Sequence, residues 1–560
     1  MPDPVFLRTN RAPRRRCRRL LRPTGGAWLL ATGVWLALAA PAVAQYAELG
    51  RVRFDNSGAS AAQDSFLQGV AALHSFWYGE ARILFREAQA ADPSFALAYW
   101  GEAMTYDQPL WDGQDAEAAR AALDRLAPTA AERSIKAPTQ REREWLAAAE
   151  VLFGEESSRP ARRHAYAERM LRLANAYPDD FEASAFYALA LLADQQPGLA
   201  GIRQRMRAAA ILERLMDAQP RHPGVLHYMI HAYDDPIHAP LGLRAALVYA
   251  DVAPGSSHAL HMPGHIFLQL GLWPKMVESN EASYLASLAW VKRRGLSPTE
   301  RDFHSLSWLS YGYLQLGRRA EAEECVRLAQ QAADQTGDSM VTTEARWMRA
   351  RYLIESRQWS KVPAASDVEA GGDPYTEASM RLALALAAAD RRDEAAAGAA
   401  ARRLEELRAA REVEGNRYLE RLLAIMAREA EAATELAAGR LEAALGKARE
   451  AVALEDTTDP SAGPPETLQP SYELLGDLLL AADRPAEAVE AYQRSLERAP
   501  NRVAALLGMA RAATAQGDAV AAAAQYRQLL GFWQQADDDL PALAEARRAV
   551  AAAPAGGPTP

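Results

Sequence analysis

Cysteine is almost missing from this chain: there are two in 560 residues, Cys17 and Cys325. Cys17 lies in a leading segment that reads as removable, so Cys325 is the sole thiol expected in the mature protein. That excludes an internal disulfide and a thiolate-rich metal site, so any metal has nitrogen and oxygen ligands. Also missing are a Gly-rich phosphate loop, a G-x-S-x-G elbow and a haem C-x-x-C-H sequence. Cationic charge is in deficit, with a net charge of −9. Such a balance opposes nucleic acid binding through phosphate contacts. Runs of β-branched residues are scarce, and alanine, leucine, glutamate and arginine dominate, which favours an all-helical chain.

The first 44 residues are expected to be a signal peptide. Arg8, Arg11, Arg14, Arg15, Arg16, Arg18, Arg19 and Arg22 form a basic region before the apolar run AWLLATGVWLALAA. Ala42-Val43-Ala44 then offers an A-x-A cleavage site before Gln45. The apolar run is short for a membrane span, so the expectation is an exported protein, periplasmic or secreted, with no transmembrane span once cleaved. Both the general and the twin-arginine routes stay open, the latter on Arg18-Arg19-Leu20-Leu21. The segment carries eight Arg and one acid, a net +7, so −9 becomes −16 after removal.

Past a linker at 45–60, apolar residues recur at three-and-four spacing through most of the chain. In FLQGVAALHSFWYGEARILFREAQAADP, Gly69, Tyr78, Ala81, Phe85, Ala88 and Pro93 stand at the small, aromatic and proline positions of a helix hairpin. Trp100 and Gly101 begin the pattern again. Tyr313, Gly317, Ala322 and Ala329 repeat it later, as do Gly476, Ala488, Tyr492 and Pro500. On these residues the chain resembles the tetratricopeptide repeat family. The resemblance implies an all-α, right-handed α-solenoid of tetratricopeptide-like helix hairpins. It divides the mature chain into N-terminal repeats at 61–220, a His-rich central part at 221–332, C-terminal repeats at 333–550 and a disordered tail at 551–560. The phrases HSFWYGEA, AYWGEAM, HYMIHAYDDP, HALHMPGHIF and DFHSLSWLSY are also similar to a narrower group of exported bacterial tetratricopeptide proteins. That likeness implies organisation and no reaction. A histidine frequent there before PLW is Gln108 here.

Seven of the ten histidines lie between Arg221 and Trp273. His227 and His231 are four residues apart, as are His261 and His265, and the second pair follows the first by 34 residues. Four residues apart on a helix means one face, and 34 residues is the tetratricopeptide period. In the family's register His227 and His261 take position 5 of helix A, and His231 and His265 position 9. His258 and His304 take position 2, Asp234 position 12, and Asp235 and His74 position 13. The resemblance implies that these positions face the concave groove, with His238 near its rim. Pro263 should kink the helix between His261 and His265.

The candidate metal ligands are therefore His227, His231, His258, His261, His265, His304, His74, Asp234 and Asp235. Imidazole with carboxylate suits zinc, copper(II), nickel or iron(II), and the absence of thiolates argues against copper(I) unless Met262 contributes. The helix H-Y-M-I-H lacks the glutamate of the zincin H-E-x-x-H sequence, so peptidase chemistry of that kind is not indicated. Three readings stay open. One is an exported repeat protein whose histidine cluster binds a divalent transition metal, for handling or sensing it. Another is a metal-dependent enzyme, hydrolytic or oxidative, on the same cluster. The third is an adaptor that binds a peptide or envelope protein in the groove without metal.

Overall fold

The computed structural model describes residues 48–111, 113–155, 157–194, 196, 198–368, 372–414 and 416–553. The expected signal segment at 1–44 and the tail from 554 onward lie outside the described residues. The rest is an all-α solenoid. Consecutive helices pack as hairpins: Ser60–His74 on Tyr78–Ala91, Phe303–Gln315 on Arg319–Thr336, and Val503–Ala515 on Ala519–Phe532. Among the described residues the only strands are a two-residue antiparallel pair, Asp107–Gln108 with Gly113–Gln114. Among them, too, no helix is long and apolar enough to cross a membrane.

The hairpins close because glycines let an aromatic ring in. Phe85 sits between Gly69 and Gly101, where an added Cβ would come within 2.9 and 2.3 Å of its ring. Tyr492 repeats this between Gly476 and Gly508, at 2.6 and 2.2 Å. Both rings stand sixteen residues from each glycine, one half-turn of the repeat. Only a residue without a Cβ permits that approach.

The solenoid also winds back on itself, so distant repeats touch the central one. Trp273 Nε1 donates to the Asn501 carbonyl at 2.9 Å, and Asp537 N to the Gly317 carbonyl at 3.1 Å. Gln269 Nε2 reaches the Ser461 carbonyl at 2.9 Å. One continuous buried core runs from Leu49 to Leu468, with two smaller cores in the C-terminal hairpins.

Seven helices position the histidines. They are α1 (Ser60–His74), α2 (Phe181–Ala193), α3 (Pro223–Ala232), α4 (Ser257–His261), α5 (Pro263–Gln269), α6 (Trp273–Arg294) and α7 (Phe303–Gln315). Their starts are written locally. Pro223 opens α3, and the ring of His222 accepts from Val225 N; Ser256 caps α4 and Asp302 caps α7. Pro263 splits what would be one helix into α4 and α5, with Met262 at the join. The expected kink is present because proline has no N–H to continue the ladder.

Candidate metal centre

Six of the sequence-derived histidines converge, and they do so as two trios. His227 and His231, one turn apart on α3, are joined by His258 from the next hairpin. His261 and His265 flank the kink and are joined by His304 from the hairpin after that. The ligand nitrogens within each trio all lie within 4.8 Å of one another. Each trio thus uses the same recipe: a pair four residues apart, and the first-turn histidine of the following A helix. His258 and His261 share α4 but turn to different trios, so this short helix belongs to both. Ring centroids across the seam are 6.1 Å apart for His258 with His261, and 6.1 Å for His231 with His265.

The nitrogens that face each other are the Nε2 atoms. His227 Nε2 is 3.1 Å from both His231 Nε2 and His258 Nε2, and His261 Nε2 is 3.0 Å from His265 Nε2. Two nitrogens bound to one tetrahedral ion at about 2.0–2.1 Å stand about 3.3 Å apart, so these spacings suit shared coordination.

The opposite ring nitrogens decide the tautomers. His227 Nδ1 donates to the His74 carbonyl at 2.6 Å. His261 Nδ1 is 2.7 Å from Asn280 Oδ1, and Asn280 Nδ2 is already committed to the Met276 carbonyl at 2.8 Å. His265 Nδ1 meets Asp234 Oδ2 at 2.6 Å and the Ala462 carbonyl at 3.1 Å. Every partner is an acceptor, so each Nδ1 carries a hydrogen, and in the neutral ring the Nε2 opposite presents a lone pair. His261 and His265 therefore point two lone pairs at one another across 3.0 Å. A proton between them is opposed by burial, which with the neighbouring imidazoles pushes His231, His258 and His261 well below the ordinary imidazole range. Burial, with smaller contributions from His265 and His74, takes His227 down to about 3. Burial thus favours the neutral form of His227, His231, His258 and His261.

Aromatic rings wall both trios. Phe76 stacks near-parallel on His231 and His258, with centroids 5.9 and 5.8 Å away, and meets His227 edge-on at 4.4 Å. Its backbone has φ +51°, a left-handed conformation costly for a bulky residue, held in the tight turn after α1. Trp308 lies 4.3 Å from His265 and 4.8 Å from His261. Trp111, half exposed on the small β-hairpin, meets His258 edge-on at 5.5 Å. His304 is exposed and His231, His258 and His265 are half-buried, so small molecules reach the outer side.

The remaining candidates go elsewhere. Asp234 supports His265 from behind, and Gln269 Nε2 donates to its other oxygen at 3.3 Å. Asp235 is taken by Arg205 at 2.7 Å and by the ring and backbone of His238. An Asx-type turn before the following helix absorbs it, so it does not join the trios. His74 stands in a third, fully buried group with Glu182 and His222. Its Nε2 is 2.7 Å from Glu182, its Nδ1 is 2.8 Å from the Tyr228 hydroxyl, and His222 Nε2 takes the other Glu182 oxygen at 3.0 Å. Burial alone would raise Glu182, but the two imidazoles beside it pull it down to about 2. With both of its ring nitrogens engaged, His74 acts on the first trio through its carbonyl.

Phe76, Trp308, Asn280 and Glu182 were not among the sequence candidates. Phe76 and Trp308 lie two and four residues past a site histidine, a local signal for the wall. Asn280 and Glu182 carry no such signal, because they arrive from separate helices.

Gly224 on α3 lets the buried group form: a Cβ there would stand 2.2 Å from His74 Nδ1. Because Glu182 and Tyr228 clamp that ring, it cannot step aside. Gly224→Ala should therefore lower stability by about 1–3 kcal/mol, read as a lower urea midpoint at unchanged slope. An unchanged midpoint would mean that the His74 ring is free to move.

No protein-family profile and no curated protein matches the chain. Among solved structures it is similar to the APC/C hetero-tetramer Cut9–Hcn1, at 10% identity over 89% of this chain and 77% of that one, TM-score 0.34. A second is the TPR domain of P58(IPK), at 14% identity over 88% and 98%, TM-score 0.20. A third is a monomeric IFIT1 mutant with m7Gppp-AAAA, at 12% identity over 82% and 94%, TM-score 0.34.

Proposed function

We propose that the chain is an exported helical-repeat protein carrying a dinuclear transition-metal centre, one ion in each histidine trio. The observation that carries this reading is the facing pair of Nε2 lone pairs on His261 and His265, each fixed by an acceptor at Nδ1. Two acceptors facing one another leave both lone pairs without a partner, a gap that a bound cation fills. The donor set is six imidazoles with carboxylate and amide oxygens behind them, the usual order of inner and outer shells at such sites. Three protein ligands per ion leave coordination positions open. A store or a purely structural site saturates its ion, so the arrangement favours a centre that acts on an exogenous molecule. The competing adaptor reading gives no reason for histidines at positions 5 and 9 of two successive repeats, each pair met by a histidine at position 2 of the next.

The test is elemental analysis of untagged protein. Two transition-metal ions per chain are expected, either as purified or after dialysis against Zn²⁺, Ni²⁺ or Cu²⁺. Fewer than one ion per chain under all of these conditions would overturn the proposal.

A further inference from the structure

We infer that the dinuclear site is a copper pair that binds dioxygen and reduces it to peroxide between the two ions, an inference that rests on the reading above. The donor set points to copper. All six ligand atoms of the two trios are imidazole nitrogens, with no carboxylate or thiolate among them. The two-histidine, one-carboxylate set typical of non-haem iron oxygenases is absent from these trios, and nitrogen donors bind copper most tightly of the divalent first-row ions. Uncharged ligands also spare the lower oxidation state, because they add no negative charge that would favour Cu(II) over Cu(I).

The pairing points to dioxygen. One copper ion supplies one electron, whereas bringing dioxygen to the peroxide level takes two. The two trios are locked side by side by α4, which gives His258 to one and His261 to the other. Open positions on both ions and the half-exposed outer edges of His231, His258 and His265 admit a diatomic molecule. Phe76 and Trp308 present hydrocarbon faces to the imidazoles on either side, which limits water at the ions and keeps a reduced oxygen species from being protonated and lost.

The step balances without another reactant. Each of two Cu(I) ions gives one electron and becomes Cu(II). The O–O bond order falls from two to one, copper–oxygen bonds form on both ions, and no proton moves. Reversal returns dioxygen and two Cu(I).

The experiment loads untagged, metal-stripped protein with Cu(I) under anaerobic conditions and then titrates dioxygen, following uptake, near-ultraviolet absorption and electron paramagnetic resonance. One dioxygen per two copper ions is expected, with a new intense absorption and little resonance signal, because the two Cu(II) spins couple through the bound oxygen. His258→Ala and His304→Ala proteins, each left with one intact trio, should lose at least tenfold of the uptake. Zinc-loaded protein provides the redox-silent control. If two copper ions bind and no dioxygen is consumed, this inference falls and the metal-centre reading stands. A full resonance signal from two isolated Cu(II) ions would overturn it as well. If neither copper nor zinc binds, the earlier reading is the one that fails.

Discussion

The His304→Ala protein should keep one metal ion and lose the other. His304 is exposed, enters from the hairpin after His261 and His265, and makes its ring contacts with His261 and Trp308. Removing it leaves two imidazoles for the second ion, while His227, His231 and His258 are untouched. Loss of a supporting group behind a ligand costs about 10–100-fold in affinity, and loss of a ligand itself should exceed that. His258→Ala should do the same to the first trio. The two substitutions together should yield protein that folds and retains no metal at micromolar concentration. Calorimetric titration of each variant measures this directly. Thermal melting gives a second readout, because an ion at 100 times its dissociation constant stabilises the fold by about 2.7 kcal/mol. If both single variants still held two ions, the division into trios would be wrong.

Arg502→Met should cost about 3–5 kcal/mol of stability, the usual result of stripping one partner from a buried ion network. Arg502 is almost wholly buried and forks onto Glu473, with Nε to Oε1 at 2.6 Å and Nη2 to Oε2 at 3.0 Å. Its Nη1 also meets Glu355 at 2.7 Å and the Tyr311 hydroxyl at 3.0 Å. These contacts hold the C-terminal hairpins against the helix that carries Trp308. Methionine fills the volume but leaves two buried carboxylates without a cation.

The pH dependence has a definite sign. Burial already pushes Glu473 above the usual carboxylate range, against the pull of Arg502. Without the arginine Glu473 favours the protonated form in the folded state more than in the unfolded one. The deficit should therefore be greatest near neutral pH and shrink as pH falls toward 5. Urea midpoints of both proteins at several pH values measure it, and an unchanging deficit would mean that packing, not charge, is responsible.

Much of this architecture was legible before any coordinates. The glycine and aromatic positions around Phe85 and Tyr492 announce helix hairpins, since only a missing Cβ allows that approach. Pro263 announces the break between α4 and α5. His227 and His231, and His261 and His265, announce shared faces by their spacing alone. The six inward imidazoles follow from applying the repeat register to those residues.

Other parts were not legible. The same register put His74 with the other histidines, and nothing in it foretold that Glu182 and Tyr228 meet both its ring nitrogens in a separate buried group. Asp235 carried the same label as a candidate, and a turn and Arg205 consumed it. The segment 456–470 reads as a plain loop, but it reaches across the solenoid to set the Ala462 carbonyl against His265 and Gly463 against Trp308.

The order of residues along the chain therefore determined which side chains share a helix face and how often that face recurs, because helical and repeat periods are local properties of the backbone. Only the tertiary structure decided that the imidazoles divide three and three, that the Nε2 atoms of His227, His231, His258, His261 and His265 face inward, and that Asp234, Asn280 and the His74 carbonyl stand behind them. Those outcomes depend on how hairpins remote in sequence close against one another, and hydrogen-bond direction at an imidazole is set by whichever acceptor that closure brings to Nδ1.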